Sequence, residues 1–182
     1  IDVLSELAQH RAAMVFISLT TLNSELRGVM EPRTSPPAAR LAAIEALAKA
    51  GIPVGALLAP VIPGLTDHEI PALVQAAARA GASAAGYVIL RLPHAVAPLF
   101  EQWLATHFPD RKEKVLTRLR AMRGGQLSES AFGKRMRGAG IFAGQIEQMF
   151  EVACRKAGIQ AKRGELSTAA FRRPGGRQLS LL

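Results

Sequence analysis

Three short runs of the chain are apolar on both alternating faces, and they limit its fold more than any other feature. Residues 13–19 (Ala-Met-Val-Phe-Ile-Ser-Leu), 53–60 (Pro-Val-Gly-Ala-Leu-Leu-Ala-Pro) and 86–91 (Gly-Tyr-Val-Ile-Leu-Arg) lack the in-and-out alternation of a half-solvated strand. Strands buried on both faces belong in a parallel sheet covered by helices. The segments between them supply those helices. Residues 36–50 are alanine-rich and end at Gly51, and residues 68–80 are alanine-rich and end at Gly81. Glycine just past a helix accepts the left-handed cap conformation that other residues resist. Thr66 or Asp67 is placed to cap the second helix at its start. Repeated strand–helix units predict an α/β protein, TIM-like or doubly wound. Three strands cannot close a barrel. Residues 1–10, with Val3, Leu4 and Leu7 on one side, read as the helix after a strand that the chain does not include, so the expectation is the second half of a larger enzyme.

The 182 residues, 49% of them hydrophobic, suffice for a sizeable core. The single cysteine, Cys154, rules out an internal disulfide framework, as expected of a protein of the reducing cytoplasm. No apolar run approaches the roughly 20 residues that span a bilayer, and residues 1–10 carry acids where a secretion signal carries bases. No membrane association is expected. Charge is uneven. Residues 1–95 hold seven Lys and Arg against seven Asp and Glu, whereas residues 96–182 hold sixteen against seven, so the whole net charge of +9 falls in the second part. Such a lobe attracts polyanions, although solvated helix faces and a basic tail account for the same count.

In parallel α/β folds ligands meet the C-terminal ends of the strands. After the first run come Ser18, Thr20, Thr21 and Asn23, then Glu31-Pro-Arg33. The hydroxyls suit a ribose or an amino-acid ligand and the guanidinium a carboxylate; the plainer reading is capping of a short helix at 24–29 and a surface ion pair. After the second run, Ala59-Pro-Val-Ile-Pro-Gly-Leu-Thr-Asp67 is an extended segment stiffened by two prolines. Its apolar side chains and free backbone groups could lie along a flat ring such as adenine, or it is an ordinary loop. After the third come Arg91 and His94. Other chemistries lack their residues. Gly133-Lys134 is followed by Arg135 where a phosphate-binding P-loop needs Ser or Thr, no Gly-x-Ser-x-Gly elbow occurs, and His10, His94 and His107 are too dispersed to argue a metal by spacing. Cys154 shares a helical stripe with Phe142, Ile146, Met149 and Phe150 and reads as a packed thiol.

Several stretches taken together carry a resemblance. Ile17-Ser-Leu-Thr-Thr21, Glu31-Pro-Arg33, Arg40-Leu41, Ala50-Gly-Ile-Pro53, Ala59-Pro-Val-Ile-Pro-Gly64, Leu90-Arg-Leu-Pro93 and Phe132-Gly-Lys-Arg-Met-Arg-Gly138 resemble, in order, the radical S-adenosylmethionine proteins related to spore photoproduct lyase. These are often described as DNA-repair-photolyase-like. The resemblance implies half of a partial (β/α)6 TIM-like barrel, this chain supplying the fourth to sixth strands. It also implies a [4Fe-4S] cluster and S-adenosylmethionine in the intact protein, with reductive cleavage of the cofactor starting radical chemistry of a lyase type. Ser18 and Thr20 match the polar site near ribose and methionine, Pro60, Val61 and Ile62 the segment against adenine, and Arg91 lies in the sixth-strand contribution. Arg33 is carried over as a carboxylate or substrate contact. The three cluster cysteines and the Gly-Gly-Glu-type segment that holds the methionyl amine are absent from this chain. The chain alone is therefore expected to bind neither cofactor and to be inactive, with the missing N-terminal half of the same protein as its partner.

Beyond the barrel pattern, residues 96–108, 110–122 and 141–157 read as amphipathic helices, the first with Leu99, Phe100, Trp103 and Leu104 inward. The expected organisation is a half-barrel over 1–95, a basic helical extension over 96–160 and a flexible basic tail over 161–182. Lys112, Lys134, Arg135 and Arg137 are the candidate nucleic-acid contacts. A non-catalytic nucleic-acid-binding or interaction module is the competing expectation.

Overall fold

The computed structural model describes residues 1–130, 135–161 and 164–172. Helix α1 (Asp2–Gln9) leads into strand β1 (Val15–Ser18), followed by α2 (Ser24–Met30), α3 (Pro37–Lys49) and β2 (Val54–Val61). A single 3-10 turn (Asp67–Glu69) runs straight into α4 (Ile70–Arg79), and β3 (Ala84–Ile89), α5 (Val96–His107), α6 (Pro109–Ala121) and α7 (Ile141–Ala157) complete the order. The three doubly apolar runs form one parallel sheet in the order β1-β2-β3, with Val15 opposite Val54 and Gly55 opposite Ala84.

Burial explains why the runs are apolar on both sides. The face with Val54, Ala56, Leu58, Ala85, Tyr87 and Ile89 is buried in the core together with Ile44 of α3, Leu73, Val74 and Ala77 of α4, and Ile146, Phe150 and Cys154 of α7. Phe150 meets Tyr87 with ring centroids 4.8 Å apart, which fixes α7 over β3. The other face carries Phe16, Leu57, Ala59, Gly86 and Val88, all half-buried, with the small Gly55 and Ala84 buried among them. Among the described residues no helix closes over it.

The two sheet edges differ. Beyond β3 the chain itself returns: the Ala85 N–H donates to Gln160 O at 2.8 Å, the Gln160 N–H to Ser83 O at 3.0 Å, and the Ile89 N–H to Met136 O at 2.9 Å. Among the described residues β1 pairs with β2 alone. Gly81 shows what stops α4 so sharply. Its φ is +97°, and an added Cβ would lie 2.6 Å from the Ala48 Cβ, so glycine serves both the turn and the close approach of α3.

The expected inward face of α5 needs one correction. Leu104 is buried and Phe100 and Trp103 pack on the core, but Leu99 is 65% exposed. At 100° per residue Leu99 lies a full step from Phe100, and Trp103 is held instead by its Nε1–H donating to Val29 O at 3.0 Å. None of the helices is long and apolar enough to cross a membrane among the described residues.

Candidate functional site at the strand ends

The C-terminal ends of the three strands are tied to one another. The Leu19 N–H donates to Leu57 O and the Leu90 N–H to Val61 O, each at 2.9 Å. Between β1 and β2 the Thr20 hydroxyl lies 3.1 Å from Ala59 O and 3.2 Å from Glu31 Oε2. Thr20 is 4% exposed, so its hydroxyl belongs to this internal network. Glu31 also accepts from Arg40 Nη2 at 3.1 Å, while the rest of that guanidinium donates to Ser18 O and Ser35 O, both at 3.0 Å. A rigid fork with five donors suits such a three-way bridge, and lysine could not reproduce it.

A second knot lies beside the first. Glu69 accepts the Thr21 hydroxyl at 2.7 Å through Oε1 and the Leu22 N–H at 2.8 Å through Oε2. Asn23 caps α2 as expected of that residue type, its side chain accepting from the N–H groups of Glu25 and Leu26. Thr66 and Asp67 do not cap the helix that follows them. Thr66 Oγ1 accepts the Ile62 N–H at 2.8 Å, and Asp67 Oδ2 accepts the Gly64 N–H and Arg118 Nη1, each at 2.9 Å. Both side chains are committed back to their own loop and to α6, which leaves α4 without a side-chain cap.

The residues singled out from sequence fall into three groups. Ser18 is exposed, Pro60, next to a cis Ala59–Pro60 bond, is half-buried, and so is Arg91; all three sit at strand ends. Thr20, Val61 and Ile62 are buried. The backbone groups expected to be free are used: Ile62 donates to Thr66 and its carbonyl accepts from Leu65 and Thr66, while Val61 O accepts from Leu90. Arg33 is exposed on the loop after α2 and makes no hydrogen bond or ion pair among the described residues.

Arg123 was not legible beforehand. It follows α6, is 4% exposed, and donates through Nη2 to Leu90 O beside Arg91. Burial, then the Arg91 charge, push its pKa below the usual guanidinium value, with Glu129 opposing. Its Nε and Nη1, like Arg91 Nε, are buried without a hydrogen-bond partner among the described residues. Nothing in the local sequence Met-Arg-Gly-Gly distinguishes this arginine from a surface one.

Of the candidate nucleic-acid contacts, Lys134 lies outside the described residues. Arg137 is stacked on the Tyr87 ring, its Cζ 3.9 Å from the centroid, and Lys112 is half-buried on α6. Arg135 is half-buried.

For a thiolate-bound iron–sulfur cluster the donor set does not fit. Cys154 lies on α7, on the covered side of the sheet, and burial pushes its thiol up to about 11, opposite to what a ligating thiolate needs. Among the described residues no three His, Cys, Asp or Glu side chains converge on a metal-sized site.

Comparison with known proteins agrees with the architecture. Residues 1–77 match the family model of the Radical SAM superfamily, a stretch that contains β1, β2 and the loops following them. Uncharacterized proteins of Mycobacterium bovis and of Mycobacterium tuberculosis strains H37Rv and CDC 1551 are each 34% identical over 112 residues. That alignment covers 60% of this chain and 33% of each relative, so the chain spans about a third of their length. No solved structure matches.

Proposed function

We propose that the chain is the C-terminal part of a radical S-adenosylmethionine enzyme, related to the spore photoproduct lyase group, whose barrel needs a further half. The observation that carries this is the coincidence of two independent facts: the Radical SAM match spans 1–77, which includes β1 and β2, and the sheet face opposite the core leaves Phe16, Leu57, Ala59, Gly86 and Val88 half-buried. The half-covered face with Phe16, Leu57, Ala59, Gly86 and Val88 is the interior that the other strands would complete, and the β1 edge is where they would pair.

In this reading the intact protein holds a [4Fe-4S] cluster on cysteines outside this chain, and the cluster supplies the electron for S-adenosylmethionine cleavage. This chain's residues act as one wall of the cofactor pocket. Ser18 offers a hydroxyl, Pro60 an apolar edge, and Arg91 and Arg33 guanidinium donors toward carboxylate or substrate. Thr20 acts indirectly, by holding Glu31 and the β2 end in register. Residues 1–95 provide the half-barrel and 96–160 the basic extension, and the substrate class open to this reading includes nucleic acid.

Expression together with the upstream coding segment, under anaerobic conditions, tests the reading. A Cys-x-x-x-Cys-x-x-Cys stretch upstream, bound iron and release of 5'-deoxyadenosine are expected. An upstream frame without such cysteines would favour a non-catalytic binding module instead.

A further inference from the structure

Helix α6 carries Arg111, Lys114 and Arg118 at spacings of three and four, which places them on one helical face. That face does not simply meet solvent. The three side chains, with Gly64, Asp67 and His68 of the loop after β2, line a cavity of about 400 Å³. We propose that this cavity is a binding site for a phosphate group carried on an organic molecule.

Charge is the first argument. Asp67 is the acidic member of the lining, and it is already matched: Oδ2 accepts from Arg118 Nη1 at 2.9 Å and from the Gly64 N–H at 2.9 Å. Arg111 makes one long contact, 3.4 Å from Nη1 to Gly64 O, and Lys114 makes no hydrogen bond or ion pair among the described residues. Two cations are therefore left over in a concave site, with the His68 imidazole beside them. A tetrahedral phosphate presents enough acceptor oxygens for a guanidinium fork and an ammonium together, whereas a single fork already satisfies a carboxylate.

Shape is the second. Gly64 has φ +86°, and an added Cβ would lie 3.4 Å from Lys114 Cγ and 3.5 Å from Arg118 Cδ. Those are ordinary contact distances, so the stems of both cations pack directly over the loop, and it is the positive φ of the turn that calls for glycine. The volume exceeds a bare phosphate, leaving room for the sugar or chain attached to it. Loop 64–68 continues directly from β2, so the site lies on the flank of the strand-end region and shares none of the residues assigned to S-adenosylmethionine. Phosphate binding here stands or falls separately from cofactor binding.

Two sources of the same chemistry are separable with two probes: adenosine monophosphate, followed by broadening of its phosphorus resonance, and a labelled single-stranded 12-mer deoxyoligonucleotide, followed by anisotropy at several salt concentrations. The pocket variant is Arg111→Gln with Lys114→Gln, and the charge-matched control is Lys49→Gln with Arg79→Gln, on the far ends of α3 and α4. For a polynucleotide, the pocket variant binds at least tenfold more weakly than the control. Its slope of log affinity against log salt falls by about 0.7, the share of the one phosphate contact that the two cations hold together on a single strand. For a free phosphoester, broadening of the monophosphate disappears in the pocket variant while the oligonucleotide is unaffected. Equal behaviour of the two double variants with both probes overturns the proposal. The single Lys114→Gln variant, which removes an exposed and unpaired side chain, gives the same comparison should the double variant not fold.

Discussion

At the scale of single residues, the strand ends are organised by buried polar pairs that no local pattern announces. Thr21 and Glu69 are 48 positions apart, and Thr20 and Ala59 are 39 apart, so neither contact leaves a trace in sequence periodicity. The residue types at the mouth were readable, since Ser18, Thr20 and Arg91 each follow an apolar run. Their partners were not, because a side chain's partner depends on which loops the fold brings together. Glu69→Ala should strand the buried Thr21 hydroxyl and the Leu22 N–H at once. The cost is about 2–3 kcal/mol, read as a melting temperature lower by about 5–10 °C; an unchanged melt would show the knot to be incidental. Cys154 gives a prediction of opposite character. With its thiol raised to about 11 by burial and by Glu151, only about 1% is thiolate at pH 9, where an ordinary cysteine is largely ionised. The native protein should resist alkylation at pH 9 and label rapidly in denaturant. Because the unfolded thiol ionises first, the stability linked to the neutral thiol is complete below about pH 9 and is lost as pH rises toward 11.

At the scale of elements, the boundaries found in the structure follow chemistry that the sequence displays openly. Gly51 and Gly81 lie just past α3 and α4, and the doubly apolar runs hold β1, β2 and β3, although β3 begins and ends two residues before the run at 86–91. The errors occur where tertiary contacts override local preference. Thr66 and Asp67 carry the side chains of helix caps yet bond Ile62, Gly64 and Arg118, and the outward Leu99 of α5 fits an apolar stripe that the helix does not bury there. Helix α7 is bound to the sheet through Phe150, which is 2% exposed and meets the Tyr87 ring at a tilt of 57°. Phe150→Ala should cost about 3–5 kcal/mol, with β3 and α7 losing protection from hydrogen exchange together. Loss confined to α7 would mean that the helix is only an appendage.

At the scale of the whole molecule, the sheet is finished on one side and open on the other. The covered face buries Val54, Ala56, Leu58, Tyr87 and Ile89, and the edge beyond β3 is paired with the chain's own Gln160 and Met136. The opposite face is apolar and leaves its larger side chains, Phe16, Leu57 and Val88, half-buried, and the β1 edge has no second neighbour among the described residues. That asymmetry, together with the Radical SAM match over 1–77, is the ground for proposing that the strand ends form one wall of a cofactor pocket. The most direct measurement is a calorimetric titration of S-adenosylmethionine into the anaerobically prepared protein that carries the cluster-binding segment, comparing wild type with Ser18→Ala and Arg91→Gln combined. An affinity at least tenfold weaker in the variant, at equal iron content, is the predicted result; equal affinities would contradict the placement of the cofactor at these strand ends.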